Sequence, residues 1–264
     1  MDDLQPLLEL AVDVARQAGD VLLDGLASVR TTVETKSTRT DMVTEMDRAS
    51  ERLVVAGLRA ARPDDAILGE EGTSSAGRSG VRWVVDPLDG TTNYLYGFPA
   101  WAVSVAAEVD GESVVGVVHD PLHGETFTAV RGVGAWCNGT PLAVVGAPDL
   151  ATALVGTGFS YDAVQRGEQA ARLARVLPVV RDIRRAGAAA LDLAWVALGR
   201  LDAFFERGLA PWDSAAGSLV AREAGAVVEQ LADGTWVAAA PQLFEPLCGL
   251  LAAADDLRGR GTDG

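Results

Sequence analysis

Residues 83–99 read WVVDPLDGTTNYLYGFP. An apolar, β-branched run leads into two aspartates, then breaks into glycine, two threonines and an asparagine. The run predicts a buried strand. Asp86 precedes Pro87, which holds its backbone extended, and Pro87 lacks an N–H and stiffens the turn. Asp86 and Asp89 therefore leave the strand end in a fixed relation, with the Leu88 carbonyl between them. Carboxylate and carbonyl oxygens are hard donors suited to Mg²⁺. Gly90 permits a tight turn and close approach of a ligand. Thr91, Thr92 and Asn93 read as the first turn of a short helix, whose free N–H groups suit phosphate oxygens. An isolated D-x-x-D-G is also an ordinary turn with a capping aspartate. Metal donors followed at once by an anion cradle are more specific than either half.

On either side, helical and strand patterns come in mixed order. Apolar spacing predicts a helix over 3–26, capped by Asp2 or Asp3. A polar, Thr-rich stretch follows, and a second helix begins between Thr44 and Asp47 and stops before Pro63. DAILGEEG (65–72) reads as a short strand ending in acids, and TSSAGRSG (73–80) as a flexible surface loop. Residues 100–142 alternate, with DG and NG turns, which predicts antiparallel strands. Beyond them come a strand in ATALVGTGF (151–159), helices at about 162–177 and 188–199, and a strand in LDAFFERG (201–208). PWDSAAGSLVAREAGA (211–226) opens a helix, AVVEQLADGTWVAAA (226–240) is a hairpin, and PQLFEPLCGLLAAA (241–254) is a last helix before a frayed tail. The order predicts an α+β fold in layers rather than a βαβ repeat. No internal repeat or long linker divides the chain. The expectation is one domain over 1–264, with a metal-site half over about 1–145 and a second half over about 146–255.

The chain has 264 residues, 48% of them hydrophobic, and 22 basic against 37 acidic side chains, for a net charge of −15. Such a surface repels nucleic-acid phosphates, so no direct nucleic-acid partner is expected. It also means that a site handling an anion needs metal cations. Cys137 and Cys248 form no C-x-x-C, which removes a zinc ribbon or a disulfide framework. His119 and His123 have Pro121 between them, which argues against a helical metal pair. No signal-peptide pattern opens the chain and no apolar run reaches about 18 residues. A soluble, cytoplasmic protein is the expectation.

The remaining acids are ambiguous singly. GEEG (69–72) is also an ordinary solvated loop, Asp47 also a helix cap, and Asp213 an acid favoured by a helix dipole wherever it sits near an N-terminus. If they converge, they repel: two carboxylates about 4 Å apart do so by roughly 4 kcal/mol at an effective dielectric near 20. Either they are dispersed or divalent cations hold them.

WVVDPLDGTTNYLYGFP closely resembles the first signature of the inositol monophosphatase family, and WDSAAGSLVAREAGA (212–226) resembles the second. GEEG resembles the family's metal-ligand loop, and DMVTEMD (41–47) its segment following a lysine, here Lys36, the chain's only lysine. RRAGAAALDLAWVALGRLDAFFE (184–206) resembles its substrate-side segment. The resemblance implies a layered αβαβα fold and a Mg²⁺-dependent, Li⁺-sensitive phosphomonoesterase that forms a homodimer. By position, it implies one metal on Glu70, Asp86 and the Leu88 carbonyl, a second on Asp86, Asp89 and Asp213, and a third, weaker one on Glu70. Thr91 and Asp47 would orient the attacking water, with Glu70 also catalytic. The Gly90 and Thr91 amides would hold phosphate, and Asp89, Ala189 and Glu206 would line the polyol pocket.

The unbroken DGTTNYLYGFP favours inositol monophosphate over histidinol phosphate or a broad range of sugar phosphates, which relatives on this scaffold hydrolyse. Ala188 stands where many members carry a hydroxyl, so one possible hydrogen bond to substrate is missing. The chain contains no D-x-D-x-T, C-x₅-R or Walker A pattern. A different class of function, a regulatory partner of the transcription machinery, is the competing reading, because some family members are implicated in that way.

Overall fold

A computed structural model describes residues 4–31 and 39–256, and the side chains of 4–26 and 45–252. Lys36, the proposed caps Asp2 and Asp3, the side chains of Asp41 and Thr44, and the tail beyond 256 lie outside the described residues. Helices α1 (Gln5–Thr31) and α2 (Arg39–Ala61) come first. Strands β1 (Ala66–Gly69), β2 (Ser74–Ser75) and β3 (Val81–Asp89) follow, then the short helix α3 (Thr91–Tyr96). A meander completes this half: β4 (Ala102–Val109), β5 (Glu112–Asp120), β6 (Glu125–Val130), β7 (Gly134–Cys137) and β8 (Thr140–Pro141). The second half runs β9 (Leu154–Thr157), α4 (Ala163–Val176), β10 (Asp182–Arg184), α5 (Ala189–Leu198) and β11 (Ala203–Arg207). It ends with α6 (Pro211–Glu223), β12 (Val227–Gln230), β13 (Thr235–Ala239) and α7 (Pro241–Asp256).

Among the described residues the strands form two sheets, in the orders β2-β1-β3-β4-β5-β6-β7-β8 and β10-β9-β11-β13-β12. The strand predicted from WVV is central because both its faces are apolar. Trp83 and Val85 point to one side, where they pack with Leu7, Val14 and Leu22 of α1 and Val54 and Leu58 of α2. Val84 points to the other side, into a cluster with Leu191 and Ala194 of α5 and Ala216 and Leu219 of α6. The far face of those two helices packs on the second sheet, through Leu193 and Val196 against Phe204 and Ala238. Phe205, Val237 and Ala239 meet Leu243 and Leu247 of α7 and Val176 of α4 on the outside. The layers are therefore αβαβα, as expected.

Three local expectations change. The second helix starts at Arg39 rather than near Thr44, which makes Asp47 an interior residue and not its cap. Part of the TSSAGRSG loop is a strand: Ser74 and Ser75 pair antiparallel with Leu68 and Ile67. DIR at 182–184 adds an edge strand parallel to β9. Both are too short to show an alternating pattern.

The middle layer is thin because small residues face each other. A Cβ on Gly116 of β5 would stand 2.8 Å from the Ala216 carbonyl, and one on Gly217 would stand 2.8 Å from the Leu193 Cβ and 3.0 Å from the Ala190 carbonyl. Backbone atoms there cannot step aside. Gly217→Val is expected to lower stability by about 1–3 kcal/mol through overpacking. Denaturant unfolding checks it, and an unchanged midpoint contradicts the close packing of α5 on α6.

Candidate active site

The acidic segments meet at the carboxyl ends of parallel strands, where open α/β sheets generally bind ligands. β1 and β3 pair in parallel; Glu70 follows the first and Asp86 and Asp89 end the second. In the other sheet β9 and β11 pair in parallel; residues 158–161 follow the first, and Glu206 sits near the end of the second. A cavity of about 340 Å³ joins them, lined by Glu70, Asp86, Leu88, Asp89, Gly90 and Thr91, and from the other half by Ala189, Glu206 and Asp213. Of the sequence-predicted residues only Asp47 is absent from its wall. It stands just behind, within hydrogen-bond reach of Thr91.

Each acid is placed by a local cause. The ladder between β3 and β4 shifts register between Asp86 and Asp89, because Pro87 has no N–H to give it. Asp86 turns back to accept from the Leu88 N–H at 3.0 Å. Asp89 accepts from the N–H groups of Ala189 (3.2 Å) and Ala190 (2.8 Å), the open first turn of α5. That helix has Ala188 as its cap, with no side-chain bond of its own. Asp213, on the first turn of α6, accepts from the Ala210 N–H at 2.7 Å. Gly90 adopts a left-handed conformation, φ 89°, and no side chain caps α3 after it. A Cβ there would meet the Ala100 carbonyl at 2.8 Å.

Helix α2 holds these pieces with one face. Asp47, Ser50 and Glu51 follow the three- and four-residue spacing that puts side chains together. The Ser50 hydroxyl donates to the Pro87 carbonyl at 2.8 Å. Glu51 accepts from the N–H of Glu71 and from the N–H and hydroxyl of Thr73, and so shapes the loop that carries Glu70. The Thr91 hydroxyl donates to the Leu88 carbonyl at 3.1 Å. Asn93 gives its side-chain amide to the carbonyls of Ala100 (2.6 Å) and Ala186 (2.8 Å), tying α3 to the loop before α5.

Burial raises the carboxyls of Asp47, Glu70, Asp86, Asp89, Glu206 and Asp213, and neighbouring acids add to it at all of these but Asp213. Asp86 is pushed well above the usual range by burial, then by Glu70, Asp89 and Asp213. Asp89 is raised by burial and by Asp213, against the Ala190 N–H. Glu70 and Asp213 move the same way, burial first. Asp47 is pushed up to about 8 by burial, with Glu71, Glu70 and Glu51 adding; its Oδ1 is buried with no partner. Burial takes Glu206 up to about 7, against the pull of Arg185.

Among the described residues no three acidic, histidine or cysteine side chains already stand as a ready ligand cage. The donor set nevertheless fits a hard divalent cation. Five acidic side chains, Glu70, Asp86, Asp89, Glu206 and Asp213, line one cavity with Leu88, and no basic side chain is among the groups that shift Asp86 or Asp89. Buried anions without a cation are costly. The histidines lie elsewhere in bonding: His119 faces the Thr126 hydroxyl and His123 the Asp120 carboxylate.

Sequence reasoning missed Ser50, Glu51, Asn93, Arg185 and Asp192. Asp192 of α5 is fully buried with neither carboxylate oxygen partnered, and burial, Glu206 and Asp89 hold its proton on while Arg185 opposes them. Its signal was a lone acid inside the apolar run ALDLAWVAL. Arg185 lines the cavity beside Gly187.

A sequence model of the inositol monophosphatase family matches residues 3–257. The chain belongs to the inositol monophosphatase family. The inositol-1-monophosphatase of Mycobacterium leprae is 48% identical over 235 residues, 83% of this chain and 81% of that relative. The Nus factor SuhB of Pasteurella multocida is 41% identical over 253 residues, 92% of this chain and 95% of that relative. Among solved structures, Mycobacterium tuberculosis SuhB superposes with a TM-score of 0.86 at 41% identity, covering 97% of this chain and 100% of that one. Inositol monophosphatase from Anabaena gives 0.84 at 34%, covering 98% and 100%. Two lines of names thus share one family scaffold.

The sign of the pH dependence follows from the raised carboxyls. In the unfolded chain Asp47 titrates near 3.8, in the fold near 8. The native state therefore holds the extra proton between those values, and stability falls as pH rises through that window. In metal-free protein the stability gained by Asp47→Asn over the wild type is expected to grow from pH 4 to pH 8 and level off above. Thermal melts in EDTA across that range check it, and a constant difference contradicts the raised titration.

Proposed function

We propose that the chain hydrolyses phosphate monoesters, inositol monophosphate foremost, with two to three Mg²⁺ ions held by Glu70, Asp86, the Leu88 carbonyl, Asp89 and Asp213. The observation that carries this reading is the cavity that brings Glu70, Asp86 and Asp89 from one half and Glu206 and Asp213 from the other together with Gly90 and Thr91 at the start of α3. The ions, when bound, supply Lewis-acid stabilisation of charge on the phosphoryl oxygens. The chain's own groups do the rest. Gly90 and Thr91 present backbone N–H groups to the phosphate. Asp47 and Thr91, which adjoin each other, orient the attacking water, and the Asp47 carboxylate takes its proton, with Glu70 also catalytic. Burial and the acids around it raise Asp47 in the metal-free protein, and cations bound nearby would favour its ionised, proton-accepting form. Glu206, Asp89 and Ala189 line the space for the leaving polyol, where Glu206 accepts a hydroxyl hydrogen bond. The entire chain works as one catalytic unit, since neither half alone closes the cavity. Inhibition by Li⁺ and a cytoplasmic location complete the proposal; among the described residues no helix is long and apolar enough to cross a membrane. Exposed Tyr96 and Phe98, beside a groove containing Pro99, Trp195 and Leu201, offer the face for a second copy.

Phosphate release from D-myo-inositol 1-phosphate, histidinol phosphate and fructose 1,6-bisphosphate, with Mg²⁺ and with EDTA, tests both reaction and substrate. Mg²⁺-dependent release favouring inositol phosphate is expected; preference for histidinol phosphate moves the substrate, and release undiminished by EDTA removes the metal assignment. Asp86→Asn is expected to lower kcat on the order of a thousandfold, because several kcal/mol of charge stabilisation depends on it. Glu206→Gln is expected to lower kcat/KM for inositol phosphate more than for an aryl phosphate, and equal losses on both would count against its polyol role.

A second reading rests on the relatives named Nus factor SuhB, at 41% identity over nearly their full length. In it the chain is a protein partner of the transcription machinery. The net charge of −15 favours a protein contact over direct RNA contact. A stoichiometric partner retained by Asp86→Asn would support it.

A further inference from the structure

A second cavity, of about 480 Å³, adjoins the first and shares Gln165, Arg207 and Gly208 with it. Its remaining wall comes from Gln169 and Arg172 of α4 and from Gln230 and Asp233 of the β12–β13 hairpin. Nothing in the catalytic arrangement uses it. Part of the wall is held by internal bonds. The Arg172 guanidinium, nearly buried, bonds Asp233 at 2.6 Å and the Thr235 hydroxyl at 2.8 Å. Gln169 spans the partition between the cavities, accepting from the Ser160 N–H at 2.7 Å and donating to the Arg207 carbonyl at 3.3 Å. At Gly208, φ 93°, a Cβ would meet no neighbour within 4 Å, so the passage over that residue is open. The lining charges cancel: Glu168 and Asp233 against Arg172 and Arg207. The uncharged polar groups are amides, each both donor and acceptor. An amide-rich, charge-balanced wall suits hydroxyl groups, not a second phosphate and not a hydrocarbon.

We propose that this cavity receives the part of the substrate's alcohol remote from the phosphate, a neutral, hydroxyl-rich ring such as the second sugar of a phosphorylated disaccharide. The inference rests on the phosphatase reading: Arg207 and Gly208 line both cavities, so an alcohol leaving beside Glu206 meets them on the way into the second. The first cavity alone accommodates a single phosphorylated ring, and the second, opening beside it, leaves room for a further neutral ring within the range of ordinary ligand sites.

Two matched esters test it: glucose 6-phosphate, and trehalose 6-phosphate, which adds one neutral ring. Gln230→Trp obstructs the second cavity and spares the first, because Gln230 is exposed on the sheet's edge strand and lines the second cavity and a groove along α6 but not the first. With Mg²⁺, the wild type is expected to show kcat/KM about tenfold higher for trehalose 6-phosphate. Gln230→Trp should abolish that preference and leave glucose 6-phosphate unchanged. Equal kcat/KM for the two esters, or a preference that survives Gln230→Trp, overturns the proposal. Trehalose itself provides a readout independent of turnover, by saturation-transfer NMR on the metal-free protein. Transfer that Gln230→Trp removes supports the cavity even if neither ester is hydrolysed, and the phosphatase reading itself then stands or falls on release from D-myo-inositol 1-phosphate. Absence of transfer in the wild type counts against the cavity.

Discussion

The contact between Asp89 and the first turn of α5 joins the two halves of the fold. The first four N–H groups of a helix have no partner within it, and α5 begins at a buried alanine that can offer none. A carboxylate from a strand 100 residues earlier supplies the acceptor. The negative charge sits where the helix dipole favours it, so an acid that burial disfavours is partly stabilised where the two layers meet. The same bond sets how far β3 stands from α5, and with it the width of the cavity between Glu70 and Glu206. The small residues along α5 and α6 allow that approach.

The acids of this chain divide by what faces them. Asp65 is also buried, and burial alone would raise it, but Arg62, Ser79 and Trp83 outweigh that and hold it below its usual range. The Arg62 Nε–H and the Trp83 indole N–H both donate to its Oδ2, each at 2.9 Å. That acid is a structural bracket at the start of β1. Asp86, three residues beyond Trp83 on the same strand, has one N–H and three acidic neighbours. A fold that can pair Asp65 so fully leaves Asp86 unpaired for a reason other than stability, in the way that perturbed carboxyls gather at functional sites.

The layered fold was legible because its signals are long. Ten apolar positions at helical spacing make α1, and a strand apolar on both faces can only lie inside. The positions of Asp86, Asp89 and Gly90 were legible for a local reason, since proline and glycine constrain their own neighbours. What was hidden depends on tertiary contact. Glu51 reads as one more charge on a polar helix face until the loop at 69–73 folds over it, and Asn93 reads as helix until Ala186 and Gly187 come within reach of its amide. The short strands at 74–75 and 182–184 carry too few residues for a period of two to show. The start of α2 was misread because Thr44 and Asp47 are good caps in the wrong place: the helix runs through them from Arg39.

Ala188 changes meaning in the same way. From sequence it stands for a hydroxyl missing from the substrate pocket. In the fold it is the N-cap of α5, almost fully buried, and a Cβ on Gly90 would touch it at 3.2 Å. A serine or threonine at an N-cap accepts from the N–H groups two and three residues on, and one of these, on Ala190, already donates to Asp89. Such a hydroxyl would therefore compete with Asp89 for the helix before it met any ligand. Alanine leaves the Ala190 N–H, beside that of Ala189, to the carboxylate, which ties the orientation of Asp89 more closely to α5. The departure at 188 thus bears first on how Asp89 is held, and on substrate contact only through it.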